Sequence, residues 1–349
     1  MIKEMRITII GLLFGLVFLA SCDDKEQPFT DFPLPPKNQG VVFIGSEGNF
    51  QFGNADLTVL DKSNYALFSD VFLQANKFKL GDVLQSIYMH EQKVYLVVNN
   101  SQKIEIISPQ NYVSLGSING FTSPRYMVAK ENKAFVSEYY ANAIRVVDLV
   151  SKQITSTITI PGWAEEMLWL NNKLYVCNAN RNQILVIDAT TNALTDSITV
   201  GTEPVSITAD YAGHIWVLCK GSKTKQVHPT LHKMNATSGA VDLQLQAGVY
   251  DDEARELCIN AAKQTLYWIS KHVYAMPVAA TQVPALPFVY NNKQTFYALG
   301  FDADAGELFV ADAIDYVQKS MIYRYNEGGA LKGQFKAGIN TGHFAFYKP

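Results

Sequence analysis

The sequence predicts an all-β chain: a seven-bladed β-propeller of four-stranded blades, its ring closed by the C-terminal strand. Three observations carry this. First, an apolar strand with an aromatic at one fixed place recurs at Phe43, Tyr95, Phe135, Tyr175, Trp216, Tyr267 and Phe309, roughly every 40 to 50 residues. Second, each is followed by another apolar strand, most of them closed by Asp61, Ser108, Asp148, Asp188, Asn235 or Asn326, side chains that start tight turns. Third, the chain begins its pattern on "VVFIGS", the second strand of a unit, and the missing first strand stands at the far end as "GHFAFY".

The first segment, residues 1–21, lies outside that pattern. Lys3 and Arg6 precede an apolar run from Ile7 to Ala20, too short to span a bilayer but suited to a signal-peptide core. It ends in "LASC", which resembles a bacterial lipobox, so Cys22 is the expected lipidation site. An ordinary secretory signal is the alternative. Acyl chains at one cysteine anchor firmly, since each buried CH2 contributes about 0.8 kcal/mol.

Residues 22–40, "CDDKEQPFTDFPLPPKNQG", are acidic and then proline-rich, with no apolar period. They read as a tether. The acidic run after the cysteine resembles the surface-export signal of lipoproteins of gut Bacteroidota. The expected location is the outer membrane, lipid-anchored and facing outward, with a periplasm-facing anchor as the alternative.

Residues 41–349 form the propeller domain, long enough for a large core. The formal net charge is −3, so no basic surface calls for nucleic acid. Cys177, Cys219 and Cys258 sit in apolar strand patterns and read as small core residues, not a disulfide framework.

Within each unit a short strand precedes the aromatic one, as in "RYMVAK", "EMLWLN" and "VSITAD". A fourth returns, as in "QITSTITI" and "ALTDSITV". No segment has a convincing helical period. Two stacked sandwiches would not repeat one signature seven times, and closing the ring removes the open edge a linear stack would expose. The seven aromatics are expected to pack between blades.

"LYVCNANRNQILVIDATTNALTDSITVGTEPVSI", residues 174–207, resembles the YVTN-type, YncE-like propellers. Tyr175, Val176, Asn178, Ile187, Asp188, Thr191, Val200, Gly201 and Pro204 carry the likeness, which is sharp over residues 121–248 and fades elsewhere. It implies a binding scaffold. Similar lipid-anchored surface propellers of gut bacteria capture cobalamin beside a TonB-dependent transporter.

A propeller binds on the face where the outer strand of one blade crosses to the inner strand of the next. Aligning the inner strands by the repeat places Gln85, Arg125, Glu166, Val205, Arg255, Tyr297 and His343 around the channel mouth. Loops on the same face add Tyr139, Tyr140, Asn178, Arg181, Lys220 and Tyr316, and the crossovers add Trp163, Tyr250 and Asp251. Aromatics interspersed with Arg, Lys and Asn suit a large, partly polar ligand.

No catalytic motif is present: no GxSxG, HExxH, Walker loop or GxGxxG. No metal site or cofactor is called for. Glu166, Asn178 and Asp312 are the residues a metal-dependent lactonase-like hydrolase would use, a third reading. The leading expectation is a lipid-anchored capture protein. Its ligand would be small and amphipathic, a corrinoid such as cobalamin by the resemblance, and its partner a TonB-dependent transporter. The second is a protein-interaction or glycan-binding scaffold.

Overall fold

The computed structural model describes residues 40–349, and the signal segment, Cys22 and the tether lie outside them. Seven antiparallel sheets follow one another along the chain. Each inner strand neighbours the inner strands of the blades before and after it. The inner strand of blade seven, Phe296–Asp302, meets the C-terminal strand, so the ring closes.

The closure is the one the ends of the sequence predict. Thr341–Tyr347 pairs with Val41–Ser46 and forms the inner strand of blade one. Val41–Ser46 pairs on its other side with Asp56–Asp61. Both ladders run along the same six-residue strand. Gly40 stands beside the Tyr347 carbonyl, at the end of that strand away from the crossovers.

The seven aromatics lie in seven separate cores, one at each blade boundary. Phe43 packs with Leu84 and Ile87 of blade two. Tyr95 packs with Met127 of blade three, and Phe135 with Met167 of blade four. Tyr175, Trp216 and Tyr267 repeat the arrangement, and Phe309 meets Phe344 across the closing boundary. All seven are at most 2% exposed. Fully burying one such ring contributes about 2 to 3 kcal/mol, so the repeat is written in the residues that hold neighbouring blades together.

Two elements depart from the expectation. A one-turn-and-a-half helix, Val71–Asn76, follows a two-residue outer strand, Leu67–Phe68, in blade one. It buries Val71 and Phe72, doing with two side chains what a longer outer strand does elsewhere. Blade six has three strands, Arg255–Ile259, Thr265–Ser270 and His272–Pro277. An isolated Val273–Val289 bridge takes the place of its fourth. The three cysteines of the domain are free, and Cys177 and Cys219 are fully buried.

Candidate functional site

Every inner strand opens with a break in register. In blade two, Leu84 pairs with Val98 but Ser86 pairs with Val97, so Gln85 is extra. The same slip occurs in the other six blades. A bulge of this kind inserts one residue and re-aims its side chain. At the channel mouth it presents two successive residues per blade, in two layers.

The outer layer holds Gln85, Arg125, Glu165, Val205, Arg255, Tyr297 and Gly342. The repeat alignment is therefore corrected at two places, where Glu166 and His343 stand one residue deeper than predicted. The cause is the extra residue of the bulge, which a repeat alignment counts as part of the strand.

Arg125 is the hub of this layer. Its Nε donates to Glu165 Oε2 at 3.0 Å and its Nη2 to Glu165 Oε1 at 3.2 Å. Its Nη1 donates to Gln85 Oε1. Its guanidinium also lies 5.2 Å from the Tyr139 ring centre. Burial works against its charge, but Glu165 beside it holds the proton above the ordinary arginine range. Burial pushes Glu165 up, and Arg125 pulls it back.

From Arg125 an aromatic cluster extends outward. Tyr139 and Trp163 have ring centres 4.7 Å apart, and Tyr139 and Tyr140 meet edge to face at 4.8 Å. Tyr140 is 70% exposed. The crossover fixes Trp163: its N–H donates to Asn180 at 2.9 Å, and its carbonyl accepts from Ala179. Gly162, with φ +102°, permits the turn, since a Cβ there would stand 2.2 Å from Asn180 Oδ1.

Elsewhere on the rim, Arg255 lies 5.1 Å from the Tyr297 ring, and Tyr297 meets Tyr316 edge to face at 5.7 Å. The Tyr297 hydroxyl donates to Glu47 at 3.0 Å. Burial raises Glu47, and that hydrogen bond opposes the rise. Sequence reasoning missed Glu47, because it belongs to a loop and not to the repeat.

The inner layer lines the channel. Tyr126, Glu166, His343 and Ser86 border a cavity of about 160 Å³, floored by Met127, Met167 and Val128. Ser206 Oγ donates to Glu166 at 2.6 Å and the Ile207 N–H at 3.1 Å. Burial still pushes Glu166 up to about 7. Glu256 is pushed up to about 8 by burial and by the nearby Glu166 charge. Burial lowers His343 to about 4. The adjacent acids of "AEEM" and "DDEARE" were the available signal for Glu165 and Glu256.

Several predicted residues do other work. Asn178 is fully buried, and its amide donates to the Pro161 carbonyl at 2.5 Å. Asp312 accepts from the N–H groups of Thr295 and Ile314 at 2.8 and 2.9 Å. Both close the second strand of their blades, as do Glu138, which accepts from Thr122 and Ser123, and Ser270, which donates to the Asp252 carbonyl. This position pins the crossover backbone in blade after blade. Asn178 and Asp312 therefore do not converge with Glu166 into a metal-binding triad. Among the described residues no group of three His, Cys, Asp or Glu is placed to hold a metal ion.

Lys220 bridges Glu203 and Glu253 at 3.4 and 3.2 Å, tying two crossovers together. Tyr250 packs edge to face on His228 at 5.6 Å, away from the aromatic cluster. Asp251 pairs with Lys223 at 3.4 Å on the wall of a groove of about 460 Å³, which also touches Arg255 and Tyr316. Arg181 is exposed on a 3-10 turn, Ala179–Arg181. No described helix is long and apolar enough to cross a membrane.

Solved structures with the same architecture are distant in sequence. A putative 6-phosphogluconolactonase from Bacteroides fragilis NCTC 9343 shares 12% identity over 90% of this chain and 100% of its own, with a TM-score of 0.67. Another from Bacteroides uniformis ATCC 8492 shares 10% over 89% and 100%, with a TM-score of 0.70. A quinonprotein alcohol dehydrogenase-like protein from Bacteroides thetaiotaomicron VPI-5482 shares 13% over 88% and 78%, with a TM-score of 0.70. At such identities the likeness is one of fold. No curated protein matches. A family profile described as "Domain of unknown function (DUF5074)" matches residues 39–346.

Proposed function

Because the chain belongs to the DUF5074 family, whose description assigns no activity, its own side chains must carry the reading, and we propose that it is a ligand-capture protein. It holds a flat, amphipathic small molecule on the crossover face. The observation that carries this is the cluster of Tyr139, Tyr140 and Trp163 around Arg125. Three rings in mutual contact present apolar area at little conformational cost, and Tyr140 remains 70% exposed. Gln85, Arg125 and Glu165 are tied to one another at the mouth, which supports a ligand resting on the face rather than in the channel.

The resemblance to surface propellers makes a corrinoid such as cobalamin the first ligand to try. A lipid anchor at Cys22 in the outer membrane and a TonB-dependent transporter as recipient belong to the same proposal. Phe50 and Phe52, 62% and 74% exposed on the blade-one loop, favour contact of this face with a partner protein as well.

Calorimetric titration with cobalamin and cobinamide tests the reading. Sub-micromolar binding is expected, with Trp163→Ala and Tyr140→Ala each weakening it at least about tenfold. Absence of corrinoid binding below micromolar concentration removes that ligand, and unchanged binding in both variants removes the site.

A further inference from the structure

Arg255 is the odd arginine of the domain. Arg125, Arg145 and Arg324 each meet a carboxylate, Glu165, Glu138 and Glu307, at 3.0, 2.6 and 2.9 Å. Arg181 is exposed to water. Arg255 is half-buried, yet among the described residues its guanidinium has neither a hydrogen bond nor an ion pair. Its guanidinium lies over the Tyr297 ring, 5.1 Å from the ring centre. A guanidinium with its N–H groups unspent, backed by an aromatic ring, is arranged to receive an anion.

The backbone goes out of its way to put it there. Glu256, the next residue, has φ +55°, the one left-handed residue inside any inner strand of the ring. A non-glycine residue held in that region costs of order 1 kcal/mol and marks a place where the fold constrains it for a reason. The bulge between Arg255 and Leu257 separates the two side chains' duties. Glu256 goes to the channel group with Glu166, and Arg255 lines the rim groove.

The groove itself follows from loop lengths. The blade-six hairpin is cut to one residue, Lys271, between the paired Ser270 and His272. Its neighbours are long, residues 220–229 in blade five and 313–318 in blade seven. A hollow of about 460 Å³ opens over the short hairpin. Lys271 stands on its lip, exposed and, among the described residues, without an ion pair. Of the three carboxylates on the wall, Asp251 is paired with Lys223 and Glu253 with Lys220. Asp252 has no ion pair among the described residues, which suits a hydroxyl or ammonium group of the same ligand.

The nearby acids Glu47 and Glu256 feel the Arg255 charge, but among the described residues neither meets its guanidinium in a hydrogen bond or an ion pair. Glu47 accepts the Tyr297 hydroxyl, and Glu256 keeps its proton at neutral pH because burial raises it to about 8. We infer that the groove over Lys271 is a second binding site, in which Arg255, with Lys271, takes the carboxylate or phosphate monoester of a small polar ligand. It is separate from the aromatic cluster and does not depend on the corrinoid reading.

The test uses the full-length protein in detergent, titrated with inorganic phosphate and with succinate against sodium chloride of equal ionic strength. Saturable binding of at least one anion in the low-millimolar range is expected, where chloride gives none. Arg255→Gln should weaken it at least about tenfold, and Arg255→Lys should recover part, since a point charge lacks the two-pronged geometry. Response to phosphate alone assigns a phosphate monoester, to succinate alone a carboxylate, and to both the shared chemistry. No saturable binding of either anion up to about 50 mM overturns the inference, as does wild-type affinity in Arg255→Gln. Should that variant fail to fold, Lys271→Gln at the exposed hairpin tip must weaken binding severalfold, and unchanged affinity there overturns it equally. No corrinoid enters this experiment, so its failure and that of the capture reading are told apart.

Discussion

Arg125 and Glu165 join blade three to blade four across the channel mouth, the guanidinium Nε 3.0 Å from one carboxylate oxygen. Their side chains are 25% and 9% exposed, so each relies on the other for its charge. Replacing Arg125 with Met leaves Glu165 buried and alone. A loss of about 3 to 5 kcal/mol is expected in denaturant unfolding. The double variant Arg125→Met/Glu165→Leu should lose much less. Equal losses in the single and double variants would show that packing, not charge, matters at this boundary.

The channel acids set an alkaline limit. Glu166 and Glu256 have folded pKa values of about 7 and 8, above the ordinary 4.5. A carboxyl raised in this way binds its proton more tightly when folded. Its favourable contribution is complete below about pH 4.5 and is lost as pH rises through 7 and 8. Stability should therefore fall as pH rises from about 4.5 to about 8. Glu166→Gln, which keeps an acceptor for Ser206, should regain about 2 kcal/mol at pH 9 and little at pH 5. A flat wild-type profile over that range counts against these raised values.

Two histidines set the acid limit. Burial lowers both His343 and His232 to about 4 from the ordinary 6.5. Each is neutral when folded, so its contribution is full above pH 6.5 and is lost as pH falls through 4. His232 accepts from the Gly201 N–H at 3.0 Å, a bond that protonation removes. His343→Gln should shift the acid midpoint of unfolding, followed by circular dichroism, to lower pH. An unmoved midpoint would assign the acid limb to other groups.

Gly162→Ala should damage the ligand face specifically. The new methyl group would meet Asn180 Oδ1 at 2.2 Å and Asn178 Oδ1 at 2.7 Å, at a φ of +102°. A cost of about 1 to 3 kcal/mol is expected, with the Trp163 crossover displaced. Trp163 fluorescence should change along with stability. A variant as stable as the wild type would mean the crossover adjusts freely.

Deleting residues 341–349 should open the ring. The inner strand of blade one would vanish and leave Val41–Ser46 as a bare apolar edge. Aggregation in size-exclusion chromatography and loss of a cooperative melt are expected. A monomeric, cooperatively melting product would show that the last strand only decorates the ring.

Architecture was legible in the sequence because one physical demand recurs at every blade boundary. Phe43 through Phe309 answer it at the same place, and "GHFAFY" could be matched to the strand it completes. The site was legible only in outline. A bulge adds a residue whose presence no repeat alignment records, which is why Glu166 and His343 were placed one layer too shallow. Asn178 and Asp312 illustrate a second difficulty. A polar residue that recurs at a strand end looks the same whether it faces a ligand or pins a loop. Burial decides between these, and burial is a property of the folded chain. Glu47 carries no repeat signal, since it acts where a blade departs from its neighbours, and the repeat places Arg255 in the ring without revealing that its guanidinium stands unpaired.

The strand that begins the domain also has a mechanical meaning. Val41–Ser46 is flanked on both sides by antiparallel partners, Asp56–Asp61 and Thr341–Tyr347. Gly40 carries the ladder one residue further, its carbonyl accepting from the Lys62 N–H at 3.0 Å, at the end away from the crossovers. Tension applied to the chain ahead of Gly40 would load both hydrogen-bond ladders in shear, all their bonds sharing the force together. The same strand that shuts the ring is thus the part best placed to withstand a pull.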